Sequence, residues 1–441
     1  MKAATGLSSA CILAATMATL GAARGEDALP VVRPEAVVRA ALQYSPAVRL
    51  AAGEVGVAEA RRRQARGAML PQVDARLQAA TYRGIGPFVM NGVTVVEAIE
   101  DRAGWSAGVT VPVYTGGRLD AVLRSAEFTR AAASESRAGA ESDVALQGLT
   151  AFWTWSKAHY GQAAAEAAVA RMETHAVDIR NRRAAGLATE HEALATEVAL
   201  EQMRLRLGTA RRNVNQARAW IAFLTGAELA TNAVPLRAET AGDAGAPSEA
   251  DAIAAAATRP ELAARRADLS ACEAMAAASR AERLPQVVLT ARYEQGRPNM
   301  MNIPPRDEWQ DDRYIAAGVS WTLFDWGLLR AKEAEAHARS LQARARLAQA
   351  EAAVAYEVRD ARIRLQEALE RTGVAERAEQ SARKSLRAVT DLWQGGLARH
   401  AEVLDAHTQL VESEYQILAA RADAALARAA LKHAIGRRMA Y

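Results

Sequence analysis

The chain writes one structural unit twice. Ala68-Met-Leu-Pro-Gln-Val-Asp-Ala returns 214 positions later as Arg283-Leu-Pro-Gln-Val-Val-Leu, and Ser45-Pro46 returns as Arg259-Pro260 at the same offset. Ala107-Gly-Val-Thr, Gly186-Leu-Ala and Leu224-Thr-Gly226 return as Ala317-Gly-Val-Ser, Gly396-Leu-Ala and Ala434-Ile-Gly436, now at an offset of 210. The register therefore slips by four residues once, between Pro71 and Gly108, as an insertion at a loop tip would produce.

Composition narrows what the unit is made of. Half of the 441 residues are apolar, but alanine is by far the commonest of them and only 22 residues are aromatic, which suits long helices packed along narrow seams. Basic and acidic residues nearly balance, at 55 against 51, and are interleaved along helical stretches as on solvated helix faces. No basic block points to nucleic acid. At the N-terminus Lys2, the uncharged run Leu7 to Leu20 and the small residues Ala22 to Gly25 read as an export signal over 1–25. Cys11 lies too early in that run to read as a lipid-attachment cysteine, and Cys272 alone leaves the mature chain no internal disulfide. No segment is long and apolar enough for a membrane-spanning helix.

Within each copy the rhythm changes. Residues 34 to 67 have helical periodicity broken at Ser45-Pro46, because proline disfavours helix in the residue before it. After Leu70-Pro71 the period becomes two: Val73, Ala75, Leu77 and Ala79 alternate with Gln72, Asp74, Arg76 and Gln78, and Trp105, Ala107, Val109, Val111 and Val113 form a second apolar face. The second copy repeats them as Val287, Leu289, Ala291 and Tyr293, then Ile315, Ala317, Val319, Trp321 and Leu323. Strands are therefore expected at about 70–82, 105–114, 285–294 and 314–324, each long enough to cross an outer-membrane hydrocarbon layer when tilted.

The rest is helix. From Arg118 to Ala185, and again from 328 to 393, no strong breaker appears, and such a helix is about 100 Å long. The chain then turns at Gly186 or Gly396 and returns as helices over 187–225 and 397–435. Leu347, Val354, Val358, Ala361, Leu365 and Ala368 form one seam. Leu200, Met203, Leu207, Ala210, Val214, Ala217, Ile221 and Leu224 form another. The last helix carries two adjacent seams, one from Leu404 to Ala429 and one from Leu410 to Leu431, which implies two neighbours. Four amphipathic strands cannot close a barrel with room for side chains, eight being about the minimum, so strands facing lipid must be pooled between chains. The expected architecture is mainly α with a small β part. A first repeat spans 26–230, a linker 231–250 and a second repeat 251–441.

The duplicated plan, the paired Leu-Pro-Gln strand starts and the stretch Gly396-Leu-Ala-Arg-His-Ala-Glu-Val-Leu-Asp-Ala-His together resemble the TolC family of outer-membrane efflux channels. That resemblance implies a homotrimer whose strands form one twelve-stranded barrel in outer-membrane lipid, with a helical tunnel in the periplasm. It also implies docking on a periplasmic adaptor and an inner-membrane pump or ABC transporter. By the same resemblance Gly186-Leu187 and Gly396-Leu397 are adaptor-contacting tips, although each glycine also suits a simple left-handed helix stop. Glu402 and Asp405 match acidic positions of the tunnel entrance and would favour cations, with Glu192 their counterpart in the first copy; acids early in a helix are also favoured by its dipole. Where the family braces its closed state with a tyrosine and an arginine, this chain has Trp393 and Ala398, with Arg399 one step along and Arg183 in the first copy.

Catalytic and metal motifs are not found. His191-Glu192 begins like a zinc-protease motif, but Ala195 stands where the second histidine belongs. His400 and His407, one heptad apart, read as plain helix surface, and Met300-Met301 as loop packing. No enzyme activity, cofactor or metal is expected. The alternative reading, a periplasmic coiled-coil adaptor or scaffold, leaves the four strands unexplained.

Overall fold

The computed structural model describes residues 31–96, 98–238, 247–299, 301 and 306–436. The expected export signal, Cys11, Met300 and part of the expected linker lie outside the described residues. In chain order the elements are β1 (Val31–Val32), α1 (Pro34–Tyr44), α2 (Pro46–Gly67), β2 (Gln72–Thr81), β3 (Phe88–Met90), β4 (Val93–Val96), β5 (Asp101–Tyr114), α3 (Arg118–Ala184) and α4 (Glu190–Thr225). They continue with β6 (Val234–Pro235), α5 (Glu249–Ala256), α6 (Pro260–Ala281), β7 (Gln286–Arg297), β8 (Gln310–Ser320), α7 (Leu328–Gln394) and α8 (His400–Ala434). The chain divides into two compact units. Among the described residues, a sheet unit comprises those within Ala52–Ser136 and Glu261–Ala350, and a helical unit those before Ala52, within Arg137–Pro260 and after Ala350.

In the sheet unit, four antiparallel strands run in the order β2-β5-β7-β8. The two hairpins have the same register: Val73 faces Val109 in the first, and the corresponding Val287 faces Val319 in the second. The alternation seen in the sequence therefore lines up across all four strands. One cross-strand row is Val73, Val109, Ala291 and Ile315; the next is Val111, Leu289 and Ala317. The chain does not cover this apolar face, since Val73 is 77%, Leu77 84%, Ile315 78% and Val319 70% exposed.

Three features differ from the sequence reading. β8 lies four residues earlier, and it stops at Ser320 because Ser320 pairs with Gln286 and the preceding Pro285 has no N–H to extend the ladder. Trp321 and Leu323 thus lie beyond the strand, with the Trp321 indole donating to the Arg283 carbonyl at 3.1 Å. The first hairpin, longer by four residues, builds its own small ladder, β3 with β4, around Asn91-Gly92. Finally, the stretch read as linker pairs β6 with β1 in parallel and begins α5 at Glu249, where Ser248 accepts from the Asp251 N–H at 3.2 Å.

The helices of the sheet unit meet on alanine. Ala58, Ala65, Ala121, Ala132, Ala264, Ala271, Ala278, Ala336 and Ala343 are all buried, so the backbones approach closely. The Ser125 hydroxyl donates to the Ala271 carbonyl at 2.9 Å across such a seam. At the β5–α3 turn, Gly116 has φ +62°, and a Cβ there would sit 2.8 Å from Leu284 Cβ, so glycine is required.

In the helical unit larger residues fill the seams. Val37, Phe152, Trp155, Ala217 and Ile221 form one cluster; Val169, Met172, Leu200, Met203 and Leu207 form a second, with Leu404 and Val411 packed against it. Of the expected seams, Val354, Val358, Ala361, Leu365 and Ala368 are buried on α7, as are Leu410, Ala420, Ala424 and Leu431 on α8. The end of α8 is pinned by charge: the His433 imidazole meets Asp143 at 3.0 Å, while Arg259 donates to Glu357 at 2.6 Å and to the Ala434 carbonyl at 3.4 Å.

Candidate functional site at the helix turns

The two turns of the helical unit are built alike. After α3 the Gly186 N–H donates to the Arg183 carbonyl at 3.0 Å and the Leu187 N–H to the Arg182 carbonyl at 2.8 Å. After α7, Gly396 donates to Trp393 at 3.0 Å and Leu397 to Leu392 at 2.8 Å. This pair of bonds is a Schellman closure, and it places both glycines in the left-handed region, at φ 73° and 75°. In that motif the residue after the glycine commonly packs back on the helix. Leu187 and Leu397 instead stand 77% and 80% exposed, two leucines presented outward on hydrogen-bonded turns.

The helices that follow start differently. α4 opens with a capping box: Thr189 Oγ1 accepts from the Glu192 N–H at 3.2 Å, while the Glu192 carboxylate accepts from the Thr189 N–H at 2.7 Å. These bonds hold the Glu192 carboxyl below its ordinary range. Glu192 is thus committed to the helix start, whereas Glu402 and Asp405 on α8 are exposed. Arg183 pairs with Glu190 across the first turn at 3.3 Å, and Arg399 is the exposed N-cap of α8 with no side-chain cap bond. Neither is the cation on Trp393. That place belongs to Arg182, whose guanidinium carbon lies 4.1 Å from the ring centroid.

Around Trp393 is a cluster of imidazoles that corrects the surface reading of His400 and His407. His175 of α3 stacks on His400 with centroids 5.1 Å apart and planes 16° apart; His407 lies 5.6 Å and Trp393 5.5 Å from His175. His400 is buried and His407 half-buried. Thr196 gives its hydroxyl hydrogen to the Glu192 carbonyl at 2.7 Å, so its oxygen, 2.9 Å from His400 Nε2, accepts the Nε2 proton. Among the described residues the other buried nitrogen, Nδ1 of His400, has no partner, nor does Nε2 of His175. Burial and the neighbouring rings push His175 down to about 4, and burial lowers His400 and His407. Among the described residues no three His, Cys, Asp or Glu side chains are placed to hold a metal ion.

In the sheet unit the polar face is also organised. Arg292 of β7 reaches Asp74 at 3.2 Å and Ser106 at 3.3 Å across Gly108, where a Cβ would lie 3.2 Å from its Nε. The apolar face ends in aromatics at both ends. Trp105 and Tyr293 pack 5.4 Å apart at one end, with the Trp105 indole donating to Gln295 at 3.0 Å. Trp321, Phe324 and Trp326 stand exposed just past the other end, on a turn that Asp325 closes by accepting from the Gly327 and Leu329 N–H groups. Among the described residues no helix is long and apolar enough to cross a membrane.

Compared with known families, residues 37–227 and 253–437 both match the outer membrane efflux protein family, one match per copy of the repeat. The chain belongs to that family. Solved structures of similar fold include CusC, at 17% identity over 91% of this chain and 92% of that one with a TM-score of 0.80. VceC of Vibrio cholerae matches at 20% identity over 91% and 96% with a TM-score of 0.79, and CmeC of Campylobacter jejuni at 15% over 95% and 91% with 0.78. No curated protein sequence matches the chain.

In this efflux protein the imidazole cluster was the part the sequence reading missed. The signal was the asymmetry of the repeat: at the 210-residue offset, Trp393, His400 and His407 replace Arg183, Glu190 and Glu197.

Proposed function

We propose that this efflux protein is the outer-membrane duct of a tripartite export system, in which three copies pool their strands into a twelve-stranded barrel and their helices into a periplasmic tunnel. The observation that carries this reading is the sheet. Its apolar face is bare, its ends carry aromatics as membrane interfaces favour, and among the described residues its edge strands β2 and β8 each lack a second partner. From Trp105 to Val113 the apolar stretch covers about 20 Å of membrane normal at a 40° tilt, close to the apolar band of outer-membrane barrels. The opposite face, with Arg292 and Asp74, suits a watery lumen.

The turns are read as the periplasmic mouth of the duct. Leu187 and Leu397 are anchors for a periplasmic adaptor, which joins the duct to an inner-membrane pump or ABC transporter. Glu402 and Asp405 face the entrance and favour cations, while Trp393 under Arg182 braces the closed state. The duct itself is passive, and the energy for export comes from the pump. Membrane fractionation tests the reading: heat-modifiable trimers in the outer membrane that conduct ions in planar bilayers are expected, and a protein recovered as a soluble monomer refutes it.

A further inference from the structure

The three histidines lie where α3, α7 and α8 come together beside the two turns, and the packing leaves no room for their charge. His175 contributes from α3, His400 and His407 from α8, and Trp393 of α7 closes the stack. Nε2 of His175 and Nδ1 of His400 are buried without an acceptor, so a proton added to either has nothing to donate to. The charged groups facing the rings are mixed. Arg171 and Arg182 from α3 oppose protonation; Asp178 from α3 and Glu192 from α4 favour it. Arg171 is paired with Glu414 at 2.7 Å, Arg182 with Asp178 at 3.1 Å, and Glu192 is held by Thr189. α7 presents a neutral indole, and the remaining groups from α8 are the histidines themselves. Each of these carboxylates is thus already engaged.

We infer that His175, His400 and His407 form a proton-sensitive latch: as neutral stacked rings they clamp α3 and α8 around Trp393, and protonation loosens the turns at Gly186 and Gly396. The inference rests on the reading of those turns as the mouth of the duct. Its sign follows from which form is packed. The rings bind protons less readily in the clamp than in water, so the clamp is unaffected above about pH 6.5 and weakens as pH falls toward 4. At pH 5 the His175 proton alone shifts the open-to-closed ratio by about thirtyfold if the opened ring is fully solvated, and by about tenfold if about four-fifths of the shift is relieved.

The test uses the full-length trimer in lipid nanodiscs, with hydrogen exchange of the two turns followed at pH 7.5 and pH 5.0 after correction for intrinsic rates. The expected result is a loss of protection of about tenfold in peptides spanning residues 170–200 and 388–410 at pH 5.0, reduced to twofold or less in His175→Phe, which keeps a flat ring and removes its proton. His175→Gln, which also removes that proton, carries the same expectation and serves if His175→Phe does not assemble. Protection unchanged at pH 5.0 in the wild type, or the same pH response in the assembled variant, overturns the latch. Planar bilayers separate the two ideas. A wild type that opens more often at pH 5.0 supports both, whereas the exchange response without ion conduction at any pH keeps the latch and removes the duct.

Discussion

Replacing Ile315 by lysine discriminates between a sheet that faces lipid and one that faces water. Ile315 sits in the middle of the apolar rows, in register with Ala291, Val109 and Val73, and is 78% exposed in the single chain. If that surface met water, a lysine would cost less than about 0.5 kcal/mol, and on the edge strand β8 it would discourage aggregation. At the midplane of an outer-membrane barrel the same change costs about 2–4 kcal/mol per copy, hence about 6–12 kcal/mol per trimer. That is most of the net stability a folded protein has. Ala316→Lys is the matched control, because Ala316 pairs with Thr290 on the polar face and a lumen charge is expected to cost within about 1 kcal/mol. The assay is the yield of heat-modifiable trimer in outer membranes, followed by urea titration of the refolded protein in vesicles. Equal yields and equal midpoints for the two variants would refute lipid contact by this face.

Other consequences are open to direct measurement. Trp155 is fully buried and packs edge-on against Phe152, so Trp155→Ala is expected to destabilise the helical unit by about 3–5 kcal/mol in denaturant unfolding; less than 1 kcal/mol would mean this cluster is not its core. Asp143 and Glu357 raise His433 to about 9, so the stability it adds is complete below about pH 6.5 and disappears as pH rises through 9. Because the Asp143 side chain is 64% exposed, the total is about 1–3 kcal/mol. Melting curves from pH 6 to 10 should show that loss in the wild type and a flat profile in His433→Asn. Glu402→Ala with Asp405→Ala should lower cation selectivity in planar bilayers, and unchanged selectivity would remove those residues from the entrance.

Much of this architecture was readable because it rests on local periodicity written twice. The strand faces followed from alternation alone, and the shared register of the hairpins follows from the two repeat offsets: Val73 and Val109 map onto Val287 and Val319. Gly186 and Gly396 were legible as turns because only a left-handed residue closes a Schellman motif without strain. What failed depended on partners. Alternation continues through Trp321 and Leu323, but the ladder stops where Pro285 ends the neighbouring strand. His175 and His400 stack across 225 residues, and Arg182 takes the place on Trp393 that the resemblance offered to Arg399 or Arg183. Helical phase across four helices decides such contacts, and the divergence of the two copies marks the positions without giving their partners.

The most direct measurement is fluorescence quenching by brominated lipid, with single labelled cysteines at Ile315 and at Thr290 in a Cys272→Ser background. These positions lie on opposite faces of the same hairpin. Strong quenching at Ile315, deepest for bromines near the bilayer centre, with little at Thr290, is the predicted result. No quenching at Ile315, or equal quenching at both, would contradict the placement of the apolar face in lipid and the duct built on it.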